Sequence, residues 1–147
     1  MTNVLFAVDA ISSDDAWAVG YFDPEPVMSQ PLIEHWDGTS WRVVRSPQPP
    51  GDSNLLHDVS GVSSREVWAV GYIRTERWGI QPLIEHWDGA RWRVIRPPAP
   101  RPPNTVLYGV AAASASDVWA VGDFTLYPDQ GSYSAHWNGK SCSSRTV

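Results

Sequence analysis

With 147 residues and a formal net charge of −5, the chain is long enough for one domain and has the wrong sign of charge for a general polyanion binder. Nine tryptophans, thirteen prolines and eleven glycines, with few strong helix formers, point away from long helices and toward many short strands separated by turns. The single cysteine, Cys142, excludes an intrachain disulfide, and no stretch nears the ~20 apolar residues of a membrane span.

The first expected element is a strand at residues 5–11, followed by the polar turn Ser12-Ser13-Asp14-Asp15, whose residue types bond their own backbone. A second strand at 16–22 carries Trp17-Ala18-Val19-Gly20, and the segment 23–30, with Pro24 and Pro26, predicts a loop. A third strand at 32–36 ends in His35-Trp36-Asp37-Gly38, where Asp-Gly between apolar runs predicts a hairpin into a fourth strand at 41–44. A proline-rich segment, 46–54, closes the unit. The same order then returns, with strands at 55–62, 67–73, 83–87 and 92–95, a loop at 74–81 and the hairpin Asp88-Gly89. After a second proline-rich segment at 97–105 come strands at 106–113, 118–124 and 134–137, a loop at 125–133 and the hairpin Asn138-Gly139. The last strand, 142–147, has lost the apolar alternation of its counterparts.

Two markers carry the repeat. Trp17-Ala18-Val19-Gly20 returns at Trp68 and Trp119, at steps of 51 and 51 residues, and His35-Trp36 returns at His86-Trp87 and His136-Trp137, at steps of 51 and 50. Four antiparallel strands per repeat of about fifty residues describe an all-β fold of β-propeller blades, with blades at 1–53, 54–104 and 105–147 forming one partial propeller. The pattern Leu5-x-x-Val8-x-x-x-Ser12-x-x-x-x-Trp17-Ala18-Val19-Gly20 resembles the inner half of blades in bacterial propellers of the photosystem-assembly-factor and Asp-box kind, and the repeat length is that of kelch-like blades. Of the Asp-box, Ser-x-Asp-x-Gly-x-Thr-Trp, only Gly38-x-x-Trp41 is kept. The resemblance therefore implies the fold and carries over no catalytic or sugar-binding residue.

Propellers usually have four to eight blades, each covering the apolar face of its neighbour. Three blades leave two faces bare, and aromatic residues such as Trp17, Trp36 and Trp41 make each face larger than the few hundred Å² that a soluble monomer tolerates. The expected partner is the chain itself: a homodimer closes six blades and a homotrimer nine, unless further blades belong to a longer polypeptide. No nucleic-acid or membrane partner is expected, and no basic-then-apolar leader opens the chain.

Binding groups concentrate on loops held by a rigid scaffold, which makes the unlike segments 23–30, 74–81 and 125–133 the expected ligand face. Trp78 stands out, because the other tryptophans occupy repeat positions; Arg74, Arg77, Tyr127, Tyr133 and Asp129 are further candidates. The alternative for these aromatics is packing against a neighbouring blade. Trp17, Trp68, Trp119, Trp36, Trp87 and Trp137 read as structure. His35, His86 and His136 lie two strands from the axis, roughly 9–10 Å out, too far apart to converge on a metal, and are expected to hydrogen-bond between blades. Glu34 and Glu85 are expected to face Arg42 and Arg93 across the hairpins, and Cys142, in the place of Trp41 and Trp92, reads as a packing position. No triad, phosphate-cradling loop or zinc spacing is present in the sequence, and no cofactor is expected. The expected function is a non-catalytic, self-assembling propeller presenting a multivalent face to a glycan or peptide. A purely structural unit without a ligand and a propeller hydrolase are the alternatives.

Overall fold

The computed structural model of the chain describes residues 2–25, 28–98 and 102–147. Pro26, Val27, Ala99, Pro100 and Arg101, which fall in expected loops, lie outside the described residues. The described residues contain strands and no helix. The first group is β1 (Thr2–Ser12), β2 (Asp15–Glu25), β3 (Met28–Trp36) and β4 (Trp41–Val43). The second is β5 (Ser53–Ser63), β6 (Glu66–Thr75), β7 (Gly79–Trp87) and β8 (Trp92–Val94), and the third is β9 (Thr105–Ser114), β10 (Asp117–Leu126), β11 (Asp129–Trp137) and β12 (Cys142–Thr146). Each group forms one antiparallel sheet whose strands lie in sequence order. These are the three blades.

The expected loops between the second and third strands are instead extensions of those strands. Pairing continues from Phe22 to Gln30, from Arg74 to Ile80 and from Leu126 to Asp129. Only residues 76–78 and 127–128 separate the arms in the second and third blades. The prolines and charges mislead because these arms bury little apolar surface, yet their backbone groups still need partners and find them in each other. The outer hairpins form as the Asp-Gly and Asn-Gly pairs require. Gly38, Gly89 and Gly139 adopt φ of 86°, 89° and 88°, and Asp37, Asp88 and Asn138 each accept two backbone N–H bonds through Oδ1.

The core lies between blades rather than within them. Trp17, Val19 and Ile33 of the first blade meet Leu56, Val59, Val67, Ala69, Leu83 and Trp92 of the second. Trp68, Val70 and Ile84 of the second blade meet Leu107, Val118, Ala120, Tyr133 and Ala135 of the third, with Cys142 packed alongside. Trp-Ala-Val thus works by strand alternation: Trp68 and Val70 face forward to the next blade while Ala69 faces back to the previous one. The Trp17 ring sits 5.0 Å from Trp87 and 5.4 Å edge-on from Trp92, and Trp68 sits 5.6 Å from Trp137.

Side chains of the innermost strand clasp the next blade. Asp9 Oδ2 accepts the Gly61 N–H at 2.7 Å, Asp58 Oδ2 accepts the Val110 N–H at 2.8 Å, and Ser60 Oγ accepts the Ala112 N–H at 3.1 Å. The final glycine of each Trp-Ala-Val-Gly has a separate cause. The innermost strand bulges opposite it, so a Cβ on Gly20, Gly71 or Gly122 would lie 1.9, 2.0 or 1.8 Å from the carbonyl oxygen of Val4, Leu55 or Val106. Only glycine fits that approach.

Candidate functional site

The candidates at the ends of the long hairpins separate into two tips. Trp78 stands in the 76–78 tip, 62% exposed, with the Arg77 guanidinium 4.7 Å over its ring. It does not seal a blade. Its backbone is pinned by its own N–H donating to Thr75 Oγ1 at 2.9 Å. Arg74 is exposed on β6. Tyr127 occupies the 127–128 tip, 94% exposed, beside the cis bond to Pro128, and exposed Asp129 opens β11. Asn104, which the sequence reading passed over, links the two hairpins: its Oδ1 accepts the Ile80 N–H and its Nδ2 donates to Thr125 O, both at 3.3 Å. Its φ of 52° is one that asparagine tolerates.

Tyr133 is not on this face. It lies inside β11 at the register of Leu32 and Leu83 and is 1% exposed in the core between the second and third blades. The loop assignment failed because the strand begins five residues earlier than expected.

The repeated histidines also depart from expectation. Each bonds an acid of its own blade, not of a neighbour: His35 Nε2 to Asp15 at 2.9 Å, His86 Nε2 to Glu66 at 2.7 Å and His136 Nε2 to Asp117 at 2.8 Å. Each ring also lies against the tryptophan beside it, tilted on Trp17 and stacked on Trp68 and Trp119, with centroids 4.3, 4.3 and 4.0 Å apart. The pairing is local because the acid opens the second strand two residues before the tryptophan that pairs with the histidine on the third. Trp36, Trp87 and Trp137 close the same end of each blade, donating Nε1–H to Ser13 O, Ser64 O and Ala115 O at 3.2 Å. Among the described residues no group of three or more His, Cys, Asp or Glu side chains is placed to hold a metal ion.

Arg42 and Arg93 turn to the hairpin acids, Arg42 Nε to Asp37 at 3.1 Å and Arg93 Nε to Asp88 at 2.7 Å, in place of Glu34 and Glu85. The Arg93 bond, then the Arg91 and Ala90 N–H groups, hold the Asp88 carboxyl at about 2. Glu85 is instead fully buried between blades against Ser46 of the preceding proline-rich segment, and burial pushes its carboxyl up to about 8.

One group of side chains escaped the sequence reading. The residue squeezed out of register on each innermost strand is Phe6, His57 or Tyr108. The three rings run in one row, Phe6–His57 at 5.6 Å and His57–Tyr108 stacked at 5.2 Å, with Tyr21 5.7 Å from Phe6 and Tyr72 5.6 Å from His57. The signal was present: a ring-bearing residue follows each repeated Leu5, Leu56 and Leu107. No family profile matches the sequence, and no curated protein matches it significantly.

Proposed function

We propose that the chain is a non-catalytic propeller module that closes a ring head to tail with further copies of itself and carries a ligand face repeated from blade to blade. One observation carries the assembly: the same repeat positions are buried inside the chain and bare at its two outer faces. Trp17 and Trp68 are 2% and 1% exposed, whereas Trp119, with no blade in front of it, is 47% exposed. On the opposite outer face Leu5 and Trp41 are 46% and 44% exposed, where Leu56 and Trp92 are buried. These two surfaces correspond in repeat position to the two halves of a joint that the chain already makes twice, which supports the reading. Aromatic faces of this size bring about 25 cal/mol per Å² of apolar area when covered.

Sedimentation velocity at micromolar concentration tests the reading. The 16.3 kDa chain is expected to sediment as a dimer of six blades, and a nine-bladed trimer supports the same joint. Trp119→Asp, which places a charge on the forward face, is expected to leave a folded monomer. A wild-type chain that stays monomeric, or an oligomer indifferent to Trp119→Asp, overturns it.

A further inference from the structure

The row of rings on the innermost strands runs across both blade joints, outside the two apolar clusters that fill them. Its members are the bulged residues, and a bulge re-aims a side chain that would otherwise point into a sheet face. The same device occurs in all three blades and fixes the glycine that ends each Trp-Ala-Val-Gly, so it belongs to the repeat itself. Phe6 and Tyr108 are each about half exposed, at 51% and 53%. His57 has ring neighbours on both sides and still keeps part of its surface open. Its orientation is set by the bond between Nδ1 and Leu107 O at 2.9 Å.

Two charges of opposite sign flank the row. Asp123 stands at the repeat position of Tyr21 and Tyr72; together with burial, the larger cause, it holds the Tyr108 phenol above its usual range. Arg74 lies near Tyr72, whose phenol burial pushes up and Arg74 pulls back. A ligand with net charge of either sign would meet one like charge here. A peptide strand would need free backbone groups on the inner edges, and the Gly61, Val110 and Ala112 N–H groups there are already taken by the clasps.

We propose that this row, Phe6–His57–Tyr108 backed by Tyr21 and Tyr72, is a binding platform for a neutral saccharide. Pyranose rings present flat C–H faces to aromatic rings and a rim of hydroxyls to polar groups. The tyrosine hydroxyls, the Asp123 carboxylate and the Arg74 guanidinium supply acceptors and donors for that rim. The inference rests on the ligand-face half of the proposed function.

The test is titration calorimetry of the assembled wild-type protein against a panel of soluble neutral oligosaccharides of glucose, mannose, galactose and N-acetylglucosamine. At least one probe is expected to bind, Tyr108→Ala is expected to weaken it about tenfold or more, and Trp78→Ala to change it less than about twofold. Tyr108→Leu, which keeps apolar bulk but removes the ring, should show the same loss while melting and sedimenting as wild type. The absence of binding by every probe overturns the inference, as does a saccharide held equally well by Tyr108→Leu. Binding lost in Trp78→Ala and retained in Tyr108→Leu overturns it too, while leaving a ligand face at the hairpin tips. A wild-type monomer that still binds through Tyr108 overturns the assembly alone.

Discussion

Gly71→Ala is expected to lower the melting temperature by about 10 °C or more, while Gly109→Ala leaves it within about 3 °C of wild type. The contrast isolates one cause. A Cβ on Gly71 would stand 2.0 Å from Leu55 O and 2.8 Å from its carbonyl carbon, and neither is the movable end of a side chain. Two strands would have to separate inside the blade that both junctions share, at a cost of about 3 kcal/mol or more. A Cβ on Gly109 meets Val121 Cγ2 at 3.4 Å, an ordinary contact. Thermal unfolding followed by near-ultraviolet circular dichroism, which reads the stacked tryptophans, gives both values. Equal melting of the two variants would mean that the bulge relaxes without cost.

The protein is also expected to lose stability as the pH rises from about 4.5 to 8, and Glu85→Gln to flatten that part of the profile. Burial holds the Glu85 proton in the folded state up to about 8, against 4.5 for the free side chain. Below both values each state carries the proton and no penalty exists. Between them only the unfolded chain releases it, so unfolding gains about 1.4 kcal/mol per pH unit, for a total of up to about 5 kcal/mol. The geometry suits the neutral form: a protonated Glu85 can donate to Ser46 Oγ, and the Ser46 hydroxyl can then donate to Pro47 O at 3.0 Å. Urea titrations at pH 5 and pH 8.5 measure the effect. A wild-type midpoint that does not fall between them, or a Glu85→Gln curve parallel to wild type, would sink this account.

The blade was legible because its determinants are short-range and repeated. Trp-Ala-Val-Gly, the polar turns and the Asp-Gly hairpins each act over a few residues and recur three times. The strand ends were not legible, because the arms beyond Phe22 and Ile73 are held by backbone pairing and scattered polar side-chain bonds, with no alternation of apolar residues to mark them. Tyr133 was misplaced for that reason. The candidate site was harder still. A bulge leaves no compositional trace, and His57 reads as one more polar residue in an apolar strand until Phe6 and Tyr108 are set beside it. The Glu85–Ser46 contact spans 39 residues and joins two blades, a pairing that local charge patterns do not indicate.

The clasps give the joints different thermal characters. Within the chain, Asp9 binds the second blade, and Asp58 and Ser60 bind the third, through directional hydrogen bonds to backbone N–H groups. At the repeat positions of Asp58 and Ser60 the third blade carries Gly109 and Ala111, which have no acceptor to offer a following copy. In a ring closed by copies, the joint at Trp119 therefore lacks these clasps and leans more heavily on apolar contact, which weakens as water cools. Such a ring would come apart in the cold at the seams between chains, each three-blade arc staying whole, and would close again on warming.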